Sequence, residues 1–287
     1  MVAIKLDGEQ VSLNLKSTLK QRISKLQETS ITPGLGTILV GEDGPSKNYI
    51  AMKHRDCKEL GMHSEEINLP ATTTQQEIIE AIETFNNNPQ IHAFIIQYPF
   101  PGNLDYEAAL LHVLPEKDAD GLHPVNLGKL VQGIPAPLAC TPAGIQYLLE
   151  QYDVPIRGKH VVIVGRGLTI GRPLANLLSL KRTNANATVT VAHTGTEDIS
   201  IYTKQADILI AAAGSPHMIK ADMVKPGSAV VAAGVSFEGK KLLSDVADEV
   251  NQVARWLSPR IGGVGPMTRA FLLANTVQAA EKTLDIF

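Results

Sequence analysis

The chain has 287 residues, of which 44% are hydrophobic and 19% charged, and its formal net charge is −3. This length exceeds one typical core and predicts two domains, while the slightly acidic balance argues against nucleic acid or an anionic membrane as a partner. Cys57 and Cys140 make neither a disulfide framework nor a metal set, no apolar run approaches the roughly 20 residues of a membrane helix, and "MVAIKLDGEQ" lacks a signal pattern, so a soluble cytoplasmic protein is expected.

Along the chain, apolar strand candidates alternate with amphipathic stretches. "GTILVGED" reads as a strand, and the following "SKNYIAMKHRD" as a helix capped by Ser46. Tyr49 and Lys53 stand four residues apart there, which puts phenol and amine on one helix face. That spacing alone fits an ordinary amphipathic helix as well as the edge of an active site. "HSEEINLP" is the next strand, followed by a helix over "TQQEIIEAIETFNNNP", whose Ile78, Ile79, Ile82 and Phe85 repeat at helical spacing. "HAFIIQYPFPG" reads as a strand running into a proline-rich loop. "CTPAGIQYLLEQYD" predicts a helix capped by Thr141, with Pro142 at its first position, that bridges the domains. A second strand series follows in "KHVVIVGRG", "ATVTVAH", "DILIAAAG" and "SAVVAAGV". Such alternation predicts parallel sheets covered by helices, an α/β fold. "PMTRAFLLANTVQAAEKTL" predicts a last helix with Phe271, Leu272, Asn275 and Ala279 near one face, packing back on the first domain.

"VVIVGRGLTIGRP" places Gly165, Gly167 and Gly171 between a buried strand and a helix. The G-x-G-x-x-x-G spacing is one residue longer than the usual dinucleotide fingerprint. Glycines there allow a tight turn and a close approach of backbone to pyrophosphate, with the helix N-terminus facing the anion. An NAD site usually carries Asp or Glu about 20 residues onward, to hold the ribose hydroxyls. This chain has His193 and Thr194 there and no acid. Arg166 follows the first glycine, where a guanidinium can grip a 2′-phosphate. The missing acid and the arginine together point to NADP.

Six motifs in order, the Ser46, Tyr49 and Lys53 helix, "QYPFP", "KDADGLHPVNLGKL", "CTPAGI", "GRGLTIGRP" and "GGVGPMT", are similar to those of one family. The chain resembles the bifunctional methylenetetrahydrofolate dehydrogenase/methenyltetrahydrofolate cyclohydrolases, the FolD type, over nearly its whole length. The resemblance implies two α/β domains around a cleft, the C-terminal one a Rossmann-like parallel sheet, with the last helix returning to the N-terminal domain. It implies a folate-binding catalytic domain over 1–142 and 267–287, and an NADP-binding domain over 143–266. Its substrates are one-carbon adducts of tetrahydrofolate, its metabolic setting includes purine biosynthesis, and its assembly is a homodimer. Lys53 is implied as base or water activator, Tyr49 as the ring beneath the folate, and Gln97 as the partner of Lys53. Ser46, Pro99 and Asp120 join the substrate set, as do Gly262, Gly263, Val264, Pro266 and Thr268 of the "GGVGPMT" wall. Thr169, Ile170, Gly214 and Val235 join Gly165, Arg166, Gly167, Gly171, His193 and Thr194 on the cofactor side.

The residue types suit that chemistry. A pterin edge offers adjacent N–H donors, and a carboxylate such as Asp120 accepts two in parallel. Hydride loss from the methylene carbon leaves a cation stabilised by the folate nitrogens, so that step needs positioning and NADP more than a protein base. In hydrolysis of the methenyl cation, water must lose a proton as it attacks. Lys53 suits that role where a cationic substrate and a half-buried setting make its amine easier to deprotonate than an exposed lysine. Gln97 can bond the amine without adding charge. The eight histidines lack metal-ligand spacing, so no metal is expected, and Cys57 and Cys140 read as packing. Three positions depart from the family pattern: Gly167 replaces serine, Ala232 replaces aspartate, and Ile261 replaces the proline before "GGVGPMT". The alternatives are a monofunctional member of the family and a catalytically silent NADP- or folate-binding protein. Retention of Lys53 and Gln97 argues against the silent protein.

Overall fold

The computed structural model describes residues 2–239 and 241–284. It opens with a short strand β1 (Ile4–Lys5) and a long helix α1 (Gly8–Glu28). Then follow β2 (Gly34–Val40), α2 (Gly44–Leu60), β3 (His63–Leu69), α3 (Gln75–Asn87), β4 (Ala93–Ile96), α4 (Tyr106–Leu110) and α5 (Pro124–Gln132). After α6 (Cys140–Gln151) come β5 (His160–Val164), α7 (Gly171–Ser179), β6 (Thr188–Ala192), α8 (Ser200–Thr203), β7 (Ile208–Ala211) and β8 (Ala229–Ala232). A hairpin of β9 (Val235–Glu238) and β10 (Lys241–Ser244), then β11 (Trp256–Leu257) and α9 (Val264–Lys282), complete the order.

The chain divides into two compact units. One comprises Asn14–Lys129, Pro135–Leu138 and Arg269–Phe287, and the other Met1–Leu13, Leu130–Ile134 and Ala139–Thr268. In the first, β3, β2 and β4 form a parallel sheet in that order. The second has a six-stranded sheet in the order β1-β11-β8-β7-β5-β6, with every pairing parallel. The α/β class read from the alternating pattern is the observed one.

The first unit's core explains the helical spacing of α3. Ile78, Ile82 and Phe85 pack with Ile38 and Val40 of β2 and with Phe94 and Ile96 of β4. α3 begins on a capping box, in which the Thr74 hydroxyl accepts the Glu77 N–H and the Glu77 carboxylate accepts the Thr74 N–H. In the second unit β5, β7 and β8 are buried on every residue but His160, which is why they read as continuous apolar runs. Val162, Val164, Leu209, Ala211, Val230 and Ala232 form its core.

Three expectations need correction. Ser46 does not cap α2: Asp43 does, its carboxylate accepting the Ser46 N–H at 2.9 Å, and Ser46 lies buried in the first turn. Pro45, with its preset φ, lets the helix start before the serine. Thr141 does not cap α6 either, because that helix starts at Cys140 after Ala139, with no side-chain cap. The Thr141 hydroxyl instead lies 3.0 Å from that of Thr268. Finally, α9 starts at Val264 and is buried beyond one face, with Met267, Ala270, Leu272, Leu273, Asn275, Thr276, Val277 and Ala280 all enclosed. Its carboxyl-terminal part, from Arg269, belongs to the first unit.

Candidate active site

The geometry around Lys53 begins with β2 and β4. Gln97 follows the buried strand β4 and extends its pairing, its N–H donating to Ile38 O at 2.8 Å. The Gln97 amide is turned by its own neighbour, because Nε2 donates to Tyr98 O at 2.8 Å. Its Oε1 is thereby left to accept from Lys53 Nζ at 3.1 Å. Lys53 is only 4% exposed although it carries an amine. Four residues earlier on α2, Tyr49 lies under it, with Nζ 4.7 Å from the ring centroid, a cation–π contact. Cys57, one turn beyond Lys53, is fully buried, and burial pushes its thiol up to about 12, so it serves packing and not nucleophilic chemistry.

The loop after β4 brings an acid to this group. Asp118 is buried and structural: its carboxylate accepts from the Gly121 N–H (2.9 Å), the His123 N–H (2.8 Å) and Asn126 Nδ2 (2.9 Å). Those three bonds hold the loop, and the Ala119 N–H ties it to Phe94 O of β4. Asp120 follows this clamp and is half-buried. Burial raises its carboxyl above the ordinary carboxylate range; the nearby Lys53 charge pulls it down and Asp118 pushes it up. A carboxylate in electrostatic reach of a buried amine suits a ligand that donates paired N–H groups. Ser46 lies in the first turn of α2, and Pro99 follows the cis peptide of Tyr98–Pro99 beside Gln97. Ser46, Tyr49, Lys53, Gln97, Pro99 and Asp120 thus share one unit.

The second unit carries the glycine loop. Gly165 adopts φ +126°, and a Cβ there would meet Ala212 O at 2.1 Å. A Cβ on Gly171 would meet Gly165 O at 2.1 Å. Both glycines are therefore required by close backbone approach, and α7 begins at the second of them. Gly167 differs, since a Cβ added there meets no atom within 4 Å. Thr169 is exposed beside it, and Ile170 is the residue from which α7 starts. The Arg166 guanidinium reaches the end of β6, with Nη1 3.5 Å from His193 Nε2, and Thr194 is exposed next to it. The bare, exposed loop and the arginine where an acid would hold ribose hydroxyls fit a phosphorylated dinucleotide.

Gly214 owes its place to a residue that the sequence reading passed over. Asp245 is fully buried, and its Oδ2 accepts the Ala213 and Gly214 N–H groups at 2.7 and 2.9 Å. Val235 is 43% exposed where β9 begins. Ala232 lines a cavity of 470 Å³ together with Ser244, Ser258, Arg260 and Ile261. Gly262 accepts the Glu9 N–H at 3.0 Å, and Gly263 packs on Gly8, so this segment is braced by the start of α1. Val264, Pro266 and Thr268 lie in the opening turns of α9. The compact units assign Gly262 through Thr268 to the glycine-loop unit rather than to that of Lys53.

Fold and side chains together define a class: a two-unit α/β protein with a glycine loop of the dinucleotide-binding kind in one unit and a buried lysine beside a glutamine and an acid in the other. Residues 6–120 match the catalytic domain of the tetrahydrofolate dehydrogenase/cyclohydrolases, and residues 139–284 match their NAD(P)-binding domain. The chain belongs to this family. It is 52% identical over 282 residues to the bifunctional protein FolD of Syntrophotalea carbinolica, covering 98% of this chain and 97% of the relative. The crystal structure of the Campylobacter jejuni bifunctional enzyme FolD superposes with a TM-score of 0.94 at 38% identity, covering 98% of this chain and 99% of that one. The Trypanosoma brucei dehydrogenase-cyclohydrolase, solved with NADP and an inhibitor, gives 0.93 at 33% identity, covering 99% of both chains.

Proposed function

We propose that Lys53 takes the proton from the water that hydrolyses 5,10-methenyltetrahydrofolate, and that the Arg166 loop selects NADP. The two reactions are those of the family: oxidation of 5,10-methylenetetrahydrofolate to the methenyl form, and hydrolysis of that form to 10-formyltetrahydrofolate. NADP, when bound, supplies the hydride acceptor of the first. The observation that carries the assignment of Lys53 is its buried amine, held 3.1 Å from Gln97 Oε1 over the Tyr49 ring.

In hydrolysis, water adds to the methenyl carbon and its proton passes to the Lys53 amine. The resulting carbinol then collapses: its O–H loses its proton as the formyl C=O forms, one ring C–N bond breaks, and the leaving folate nitrogen takes a proton back, so that one proton is released overall. Gln97 aims the amine without adding a charge that would favour its protonated form. Asp120 receives the pterin N–H groups, Tyr49 lies beneath the folate, and Ser46 and Pro99 complete that wall. Gly262, Gly263, Val264, Pro266 and Thr268 belong to the proposed substrate set as well. On the cofactor side, Gly165, Gly167, Thr169, Ile170 and Gly171 bind phosphate, Arg166, His193 and Thr194 the 2′-phosphate end, and Gly214 and Val235 the remainder. The NADP held by the Trypanosoma brucei relative supports this choice, as does the absence of an acid at the end of β6. The proposal further takes the chain as a homodimer of the cytoplasm that feeds one-carbon units to purine biosynthesis, with no nucleic-acid or membrane partner.

Two assays test the reading together. Methenyl-folate is expected to disappear without cofactor, and NADPH is expected to form from methylene-folate and NADP. A protein active in only one assay is monofunctional, and one active in neither overturns the reading.

A further inference from the structure

Arg269, near the start of α9, donates from Nε to Asp56 Oδ2 at 2.9 Å, and its Nη1 reaches Met52 Sδ at 3.5 Å. The other Asp56 oxygen takes Lys16 Nζ of α1 at 2.5 Å. The three side chains are largely enclosed, at 7% exposed for Asp56, 13% for Lys16 and 21% for Arg269. Met52 and Asp56 bracket Lys53 on α2: one precedes it, and the other lies one turn later on its face. Six residues on from Arg269, about 9 Å along the helix, Asn275 Nδ2 donates to Ala119 O and to Leu138 O, both at 2.9 Å. Ala119 immediately precedes Asp120. One helix therefore grips the segment that carries the amine and the loop that carries the pterin acid.

Stability does not explain the charged grip. Burying three charges costs about as much as their attraction returns, and apolar side chains of similar volume would join three helices as firmly. What a guanidinium and a shared carboxylate add is a fixed register, since charge-assisted bonds tolerate little rotation or slip. We infer that Arg269 is a positioning residue for hydrolysis: through Asp56 and Met52 it fixes α2 about Lys53, while Asn275 fixes the Asp120 loop to the same helix. The inference rests on the assignment of Lys53 as the base. Hydride loss has no proton to place, so it depends less on the setting of α2.

The test compares the wild type with Arg269→Met and Arg269→Lys, both full-length. Asp56 keeps Lys16 in either variant, so the buried acid is not stranded. Arg269→Met is expected to lower the hydrolytic kcat about tenfold to a hundredfold, the scale of a small misplacement of a reacting group. KM for methenyl-folate and the dehydrogenase kcat should change less than about threefold, and Arg269→Lys should recover part of the loss. An unchanged hydrolytic kcat overturns the inference, as does a proportional fall of both activities with a rising KM, the mark of general loosening. Should Arg269→Met not fold, Arg269→Lys alone decides: a selective loss of hydrolysis supports the role and wild-type hydrolysis removes it. Lys53→Met, assayed beside them, separates the two claims. Hydrolysis retained in Lys53→Met removes the base itself, whereas hydrolysis lost there but normal in Arg269→Met removes only the role of Arg269.

Discussion

Around Lys53 side chains are held by other side chains, whereas at Gly165 and Gly171 the turn is set by backbone packed closely on backbone where side chains are missing. Lys53 has Gln97 and Tyr49, and Asp120 is carried on a loop that Asp118 clamps through three hydrogen bonds. Gly165 and Gly171 have only close backbone neighbours, at distances where a single carbon would collide. The first region is therefore sensitive to chemistry and the second to size. A methyl group would collide in the glycine turn without touching a charge, while at Lys53 a side chain of nearly equal shape is expected to remove the proposed base.

The sharpest break of the comparison is Lys53→Met. The substitution keeps a long apolar stem, so α2 should stay packed and circular dichroism should be unchanged. Hydrolysis of methenyl-folate is expected to fall about 10²–10⁴-fold, the usual cost of losing a general base, with a smaller loss in hydride transfer. Normal hydrolysis in this variant would return "SKNYIAMKHRD" to an ordinary helix.

Asp120→Asn should weaken folate binding by roughly 1.5–3 kcal/mol, the range for a charge-assisted bond, with NADP binding unchanged in a parallel calorimetric titration. It should also raise the melting temperature of the ligand-free protein. The folded-state pKa of Asp120 lies above the unfolded value near about 3.9, so the folded chain holds this proton more tightly. Ionisation then costs stability as pH rises from the unfolded value through the folded one. Asparagine has no such cost, so the gap in melting temperature should be widest above the folded pKa and close as pH falls toward about 4. A gap independent of pH would mean that the burial of Asp120 is not what separates the two proteins.

On the cofactor side, Arg166→Ala should erase most of a preference for NADP over NAD. The effect should be about tenfold to a hundredfold in the ratio of the two dissociation constants, with binding of NAD itself little changed. A variant that keeps full NADP preference would place the 2′-phosphate elsewhere. The smallest effect is expected of Gly167→Ser. Open space surrounds that position, so the fold should accept the hydroxyl, and the NADP dissociation constant should tighten by no more than about threefold. A loss of stability there would show that size matters even at the one open glycine of the loop.

The sequence displayed these regions unequally. Strands β2, β4, β5, β7 and β8 were legible as short apolar runs, and the spacing of Tyr49 and Lys53 survives intact in α2. The glycine spacing named the turn, although it could not show that Gly167 lacks the steric reason that holds for Gly165 and Gly171. The supports stayed hidden. Asp56, Lys16 and Arg269 come from three separate stretches of sequence, and nothing local marks a surface-type residue as one arm of a buried triad. Asp245 looks like any acid before a valine, yet it anchors Gly214 through two backbone amides. β1 and β11 are two residues each, too short for any alternation to register. Their pairing partners, far off in the chain, define them.

Neither compact unit is a continuous piece of chain, and this bears on synthesis. The unit with Lys53 contains Asn14–Lys129 but also Arg269–Phe287. A nascent chain therefore presents Lys53, Gln97 and Asp120 to the cell long before Arg269 and Asn275 have been translated. Until they emerge, Asp56 is without its Arg269 contact and the Ala119 carbonyl is without that of Asn275. Domains generally fold as units while the ribosome works from the amino terminus. Here a unit whose bulk, Asn14–Lys129, is made early is closed by a segment that follows the other unit in the chain, so chains cut just after Thr268 would lack the Arg269 and Asn275 contacts to Asp56 and Ala119.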